Sequence, residues 1–358
     1  TEPLIDLIGA EKDCVVLEPS SAEFLHRSPV GSVEVRYLDV VERLVNVAQR
    51  LIPVRLSPKM QERFQSAEVA FNREFGITIS LLPIIRRELA RWKALRPVYR
   101  WFFKYLKPRA ILLVVSTHKE PLIMAAKDVG IPTAELQHGS PAEGKLGYHF
   151  PEGVYKRAFP DRFFSFGPYW NAPLPLPPEH IRNVGFPYLE KKRRLYEEVA
   201  KKPQMVVISQ PTIGARLARF AMELRQVAPS YVEFVYKIHP GEAADWQQRY
   251  GFLSEAGIHV STDPSQDLYQ ILAESTWQLG VYSTALYEGL AFGCHTFILR
   301  APGFEPMIPL AGRGFITLVD KAEMVDFSPV KNPVEGQFLF APVSAENYLS
   351  EISLLTRN

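Results

Sequence analysis

Five short polar clusters each follow an apolar run: STHKE (116–120), QHGSP (137–141), SQPTIG (209–214), KIHPG (237–241) and YST (282–284). Ser283 and Thr284 open a small-residue helix over 284–292, and Glu288 sits one turn inside it. Hydroxyls and free backbone N–H groups at a helix start hold an anion such as phosphate. A carboxylate one turn on can reach a ribose diol beside that phosphate; the competing reading has Glu288 satisfying a neighbouring loop. Ser209, Gln210, Thr212 and Gly214 open a second helix in the same manner, where a plain N-cap accounts for one hydroxyl and not the set. Lys237 and His239 lie two residues apart and share one side of a strand that Pro240 ends. An imidazole there can donate to a phosphate oxygen without carrying full charge. His138, with Gly139 behind it permitting a sharp turn, is suited to take a proton at neutral pH. Its partners or substitutes are His118 and Glu120 at the neighbouring strand end and Glu143 in the loop beyond. Glu135, three residues earlier, points to the opposite side. The plainer alternative for His138 is a tie between its loop and a backbone carbonyl.

These clusters need strands to end beside one another. Runs at 14–19, 32–38, 111–118, 132–139 and 161–167 read as strands, with a mostly helical region from about 40 to 106 broken by prolines. After a turn and a charged helix at 183–202, strands at 205–211, 233–240, 258–262, 277–283 and 295–300 alternate with helices at 213–227, 243–254, 266–274 and 284–292. Alternation of this kind predicts parallel sheets with crossover helices, whose ligands sit beyond the carboxyl ends of the strands. The expected fold is α/β, two Rossmann-like doubly wound domains facing a cleft. The expected division is 1–184 for the acceptor, 185–330 for the nucleotide donor, and 331–358 as a helical segment packing back.

Composition narrows the class. The chain has 358 residues, 47% apolar and 22% charged, with a net charge of +2, so it is globular and nothing general points to nucleic acid. Cys14 and Cys294 are the only cysteines, which excludes a disulfide framework and a CxxC metal site and favours a reducing cytoplasm. No stretch of the chain reads as a signal peptide, and no run of about 18 apolar residues occurs in it, so no membrane-spanning segment is expected in these residues. The first residue is Thr, so the chain reads as trimmed or excised from something longer. Residues 86–109 carry nine Lys/Arg against one Glu, interleaved with Trp92, Tyr99, Trp101, Phe102, Phe103 and Tyr105. That segment is either a helix packed by its aromatics with a solvated basic face, or a peripheral element on an anionic membrane surface. GxGxxG, GxxxxGK[ST], HExxH and GxSxG are absent, and so is DxD.

The two Rossmann-like halves, the VGFP turn, His239-Pro240 and the pattern ST-x3-EG-x3-G resemble the GT-B glycosyltransferases. Within them they are similar to the bacterial surface-polysaccharide group of capsule sialyl- and Kdo-transferases and CDP-glycerol glycerophosphotransferases, over about residues 110–300. In that group the His-Pro motif and the Ser/Thr pair contact the donor's phosphate, and His138-Gly139 looks like the His-Gly of the glycerophosphotransferases. The resemblance implies a metal-independent transfer, without a cofactor, from a nucleotide-activated sugar (CMP-, CDP- or UDP-linked) to an acceptor glycan, lipid-linked or not, in capsule or lipopolysaccharide synthesis. The Asp/Glu-Asp/Glu-Gly base motif of several sialyltransferases is missing. Two alternatives stand beside this expectation. One is the non-hydrolysing UDP-GlcNAc 2-epimerases, which share the fold but show Ser-Gly-Gly where this chain has Tyr-Ser-Thr. The other is a non-catalytic nucleotide-sugar or glycan-binding module.

Overall fold

A computed structural model describes residues 2–9, 14–18, 33–141, 147–148, 156–262, 266–328 and 336–357. Strands β1 (Val15–Glu18) and β2 (Glu34–Tyr37) form a small parallel pair. A four-stranded parallel sheet runs β3 (Ile111–Leu113), β4 (Thr133–Leu136), β5 (Arg162–Ser165), β6 (Ile181–Asn183) in that order. The second sheet contains β7 (Lys202–Ile208), β8 (Glu233–Lys237), β9 (His259–Ser261), β10 (Ser275–Gly280), β11 (His295–Leu299) and β12 (Thr317–Val319), ordered β12-β11-β10-β7-β8-β9 and parallel throughout. The helices are α1 (Glu2–Ile8), α2 (Asp39–Ala48), α3 (Pro58–Phe75), α4 (Leu81–Leu106), α5 (Glu120–Asp128), α6 (Pro187–Leu195), α7 (Gly214–Val227), α8 (Trp246–Tyr250), α9 (Phe252–Glu255), α10 (Leu268–Glu274), α11 (Thr284–Ala291), α12 (Ile308–Ala311), α13 (Gly336–Leu339) and α14 (Ala345–Leu355).

The alternation read from the sequence is what folds: two α/β units with parallel sheets. Five details differ. The second sheet has a sixth strand, β12, and β6 occupies residues 181–183 just ahead of the expected turn. Residues 243–254 are not one helix but α8 and α9, with Gly251 between them. The strand expected at 111–118 stops at Leu113, and His118 adopts a left-handed backbone (φ 65°). Pro97 does not break α4, which runs 26 residues. A proline deletes one helical hydrogen bond at a cost of about 3 kcal/mol. Packing and the Arg96–Asp128 pair, with two hydrogen bonds of 2.8 and 2.6 Å to α5, offset that cost.

Register brings the functional loops to one rim in each sheet. Ile208 pairs with Lys237, Leu279 with Val207 and Gly280 with Ile298, so the chain leaves β7, β8 and β10 at nearly one level. In the first sheet Leu113 is opposite Glu135, and Leu136 opposite Phe164.

The two units are joined by packed aromatics. Phe166 and Trp170, just past β5, enter the apolar core formed by Val206, Ile208, Tyr287 and Leu339. Trp170 Nε1–H donates to Leu339 O at 2.7 Å, and Ala341 N–H donates to Phe166 O at 2.7 Å. Gly185 lets this strand of chain cross the linker: its φ is +78° and a Cβ there would overlap Ala341 O. Beyond the crossing, α14 packs Tyr348 and Leu355 with Ala134, Phe164 and Leu4 of the first unit.

Candidate functional site in the interdomain cleft

In the second sheet β7 has β8 on one side and β10 on the other, so the chain after β7 and the chain after β10 part at a topological switch point, where open α/β sheets bind ligands. Two contacts bridge it. Tyr282 N–H donates to Gln210 Oε1 at 3.4 Å, and the hydroxyls of Thr212 and Tyr282 meet. Ser283 caps α11, its Oγ accepting from Ala285 N–H at 3.3 Å, while Thr284 stays exposed. On the other flank, Pro211 approaches the His239–Gly241 turn: a Cβ on Gly241 would lie 3.8 Å from Pro211 Cγ. His239 is exposed, and its Nδ1 accepts from Gly241 N–H at 3.0 Å. An imidazole that accepts at Nδ1 carries its proton on Nε2, so this turn presents an N–H donor to the solvent side. Pro240 fixes the turn and starts the short helical piece Pro240–Glu242.

Three residues assigned to the ligand from the sequence are placed otherwise. Ser209 is buried and donates to Glu242 Oε2 at 2.6 Å. Gly214 answers a packing need, since a Cβ there would overlap the Tyr250 hydroxyl. Lys237 Nζ donates to Ser261 Oγ at 3.1 Å and Gln266 O at 3.3 Å, tying β8 to β9 and to the start of α10. Ser209 and Gly214 meet at a cluster that spacing did not reveal. Fully buried Glu242 accepts from Ser209 and from the Tyr250 hydroxyl, faces Arg249 at 3.5 Å, and neighbours Tyr236, which donates to Ser209 Oγ at 3.2 Å. Glu242 lies in PGEAAD, between the strand that Pro240 ends and the helix expected from 243, and no sequence signal marks it.

Within α11 the EG pair separates into two jobs. Gly289 is the point of close approach to Gln278, whose amide donates to Leu286 O and Thr296 Oγ1, each at 2.7 Å. Gly293, at φ +75°, ends the helix. Glu288 is half-buried, and burial pushes its pKa up to about 7, against the opposing pull of the Tyr269 hydroxyl that hydrogen-bonds it. The consequence for stability has a definite sign. The folded chain holds this proton more tightly than the unfolded chain, so stability falls as pH rises from the ordinary carboxyl range to about 7, then levels. Urea titrations at pH 5 and 7.5 should show that fall in wild type and a smaller one in Glu288→Gln.

The first unit meets α11 through QHGSP. Gln137 shapes that loop, its Nε2 donating to Gly139 O at 3.0 Å and its Oε1 accepting from Phe166 N–H at 2.7 Å. A Cβ on Gly139 would stand 3.7 Å from Thr284 Cγ2, and Ser140 is within hydrogen-bonding reach of Tyr287. His138, exposed, therefore stands where the loop of one sheet touches the start of α11 beside the other. His118 is exposed, and Glu120 pairs with Lys156 at 3.2 Å. Neither hydrogen-bonds His138 among the described residues. Glu143 lies outside the described residues. Glu135 is buried; burial raises its pKa, opposed by nearby hydroxyls, one of them Tyr148, which donates to it.

A cavity of about 630 Å³ lies beside α7 rather than over α11, lined by Pro211, Thr212, Arg216, Arg219, Arg249 and Pro302 among others. Among the described residues no group of three or more His, Cys, Asp or Glu is placed to hold a metal ion, and no helix is long and apolar enough to cross a membrane.

No protein-family model matches this chain, and no curated protein matches it. Solved structures do. A UDP-GlcNAc 2-epimerase from Methanocaldococcus jannaschii matches at a TM-score of 0.52 and 11% identity, over 74% of this chain and 82% of that one. A UDP-GlcNAc 2-epimerase from Neisseria meningitidis, solved with UDP-GlcNAc bound, matches at 0.51 and 15%, over 75% and 82%. A UDP-N-acetylglucosamine 2-epimerase from Rickettsia bellii matches at 0.50 and 14%, over 75% and 80%. At these identities the likeness establishes the fold, two Rossmann-like α/β domains of the GT-B kind. It also corrects the expectation of a surface-polysaccharide glycosyltransferase, because these structures belong to the epimerase alternative.

Proposed function

We propose that the cleft binds a UDP-sugar and that the protein is an epimerase-like enzyme acting on the sugar ring. The observation that carries this reading is the contact of Gly139 and Ser140 with Thr284 and Tyr287, which sets His138 against the start of α11. The three epimerase folds support it. In this reading the diphosphate lies on the α11 N-terminus, held by the Thr284 hydroxyl, backbone N–H groups and His239 Nε2–H, with Gln210 and Thr212 shaping the floor. Glu288 accepts from the ribose hydroxyls. Inverting a ring carbon breaks a C–H bond on one face and forms one on the other, so a proton-handling group must stand beside the sugar. His138 is placed for that work.

Replacing His239 with alanine should remove one phosphate hydrogen bond, worth about 1.5–3 kcal/mol, and so weaken UDP binding by roughly 10- to 150-fold with little change in melting temperature. Calorimetric titration of both proteins decides it; parallel loss of stability and affinity would make His239 structural instead. UDP affinity should also rise with pH up to about 7 and then level, because only the ionised Glu288 accepts from both ribose hydroxyls. A flat profile from pH 6 to 8 would remove Glu288 from the ribose.

The deciding experiment is proton NMR of UDP-GlcNAc incubated with the protein in D₂O. Deuterium entering the sugar ring together with a second epimer supports the proposal. Tight UDP binding with an unchanged sugar would leave a binding module.

A further inference from the structure

We propose that the helical layer α2–α4 docks this protein on an anionic lipid surface. The layer is built so that α2 has two apolar faces. One, with Leu38 and Val45, packs against Leu95, Tyr99 and Phe103 of α4. The other carries Val40, Leu44, Val47 and, one turn past the helix end, Leu51, at 69, 64, 63 and 82% exposure. Spacings of four, three and four residues set these side chains in one line along the helix. Single exposed aliphatics are ordinary on a protein surface, but an aligned row on consecutive turns is an interaction face.

Charge identifies the occupant. Residues 39–109 hold fifteen Lys and Arg against six Asp and Glu, a net +9 in a chain whose total is +2. Arg43 and Arg50 flank the apolar row and are exposed, as are Arg55, Lys59 and Arg63 just beyond it. Of the two readings of the basic segment 86–109, its aromatics follow the packed helix with a solvated basic face. Tyr99 and Phe103 of α4 are core residues, and only Trp101 and Tyr105 stand well out, stacked at 6.1 Å. The apolar anchor is therefore α2, and α3 and α4 supply the field. A second copy of the chain would set one strongly basic layer against another. An anionic bilayer instead offers an apolar boundary about 5–10 Å deep for the row and opposite charge for its surroundings, with each basic residue near the surface adding to the attraction.

Co-sedimentation of the full chain with vesicles tests this, comparing phosphatidylcholine containing phosphatidylglycerol with phosphatidylcholine alone, at low and high salt. Wild type should partition onto the anionic vesicles and weaken as salt rises. The exposed-surface variant Leu44→Ser/Val47→Ser/Leu51→Ser should lose partitioning by roughly tenfold or more at an unchanged melting temperature. Arg50→Gln/Lys59→Gln/Arg63→Gln should lose it by a similar factor and flatten the salt dependence. Wild type that ignores anionic vesicles overturns the proposal, as does an apolar variant that binds them like wild type. A dimer in solution that the apolar variant abolishes, without vesicle binding, would assign the row to a second copy and overturn it equally.

Discussion

Alanine at His138 is expected to lower turnover of a UDP-sugar by about 10²- to 10⁴-fold, the usual contribution of one positioned proton-transfer group, while UDP affinity stays near the wild-type value. The split follows from where the residue stands. His138 belongs to the loop after β4, whereas the proposed phosphate contacts come from α11 and the His239 turn of the other sheet. Removing an exposed side chain from that loop leaves the Gln137 bonds to Gly139 O and Phe166 N–H in place, so the loop keeps its shape. Steady-state rates and UDP titrations on the same preparation would check this. More than half of wild-type turnover in the variant would end the role given to His138 and move attention to Glu120, which Lys156 already holds close to that rim.

Glu242→Ala should destabilise the protein by about 3–5 kcal/mol, since it takes the acceptor from a buried charged cluster and leaves its donors unpaired. Ser209 and Tyr250 both donate to Glu242, Tyr236 leans on Ser209, and Arg249 faces the carboxylate from the rim. Among the described residues no other carboxylate accepts from these hydroxyls. At roughly 2–4 °C per kcal/mol for a domain of this size, the melting temperature should drop on the order of 10 °C. Glu242→Gln keeps one carbonyl acceptor and should fall between the two. A Glu242→Ala protein melting within a degree or two of wild type would mean that the cluster contributes no net stability.

These two residues show what the sequence made legible. His138 was visible because a polar tripeptide after an apolar run marks a strand end, and strand ends are where parallel sheets keep their chemistry. Ser283, His239 and Gln210 were visible for the same reason, and all border the switch point. Glu242 was invisible, because its partners lie at residues 209, 236 and 250 and only the fold assembles them. The partners of Ser209, Gly214 and Lys237 were hidden by the same gap. Sequence places a residue at the end of a strand, but whether its side chain turns to the cleft or into the domain depends on neighbours from other elements. The transferase expectation failed on a related point. In ST-x3-EG-x3-G, Gly289 fits against Gln278 and Gly293 ends the helix, so both glycines serve packing and chain reversal. A pattern held in place by the fold cannot by itself tell one chemistry on that fold from another. Four aliphatics at helical spacing fit a core face as well as an exposed one, and only the structure shows that α2 packs by its other side.

A nucleotide diphosphate at the switch point between the turns at 209–213 and 282–284 is the central element of the proposed site. Thermal unfolding with UDP at about 100 times its Kd tests that directly. A ligand bound only by the folded state should add about 2.7 kcal/mol, on the order of 5–10 °C in melting temperature. Wild type should show such a shift and, at the same UDP concentration, His239→Ala and Thr284→Val a much smaller one. No shift with UDP at millimolar concentration, or an equal shift in all three proteins, would contradict it.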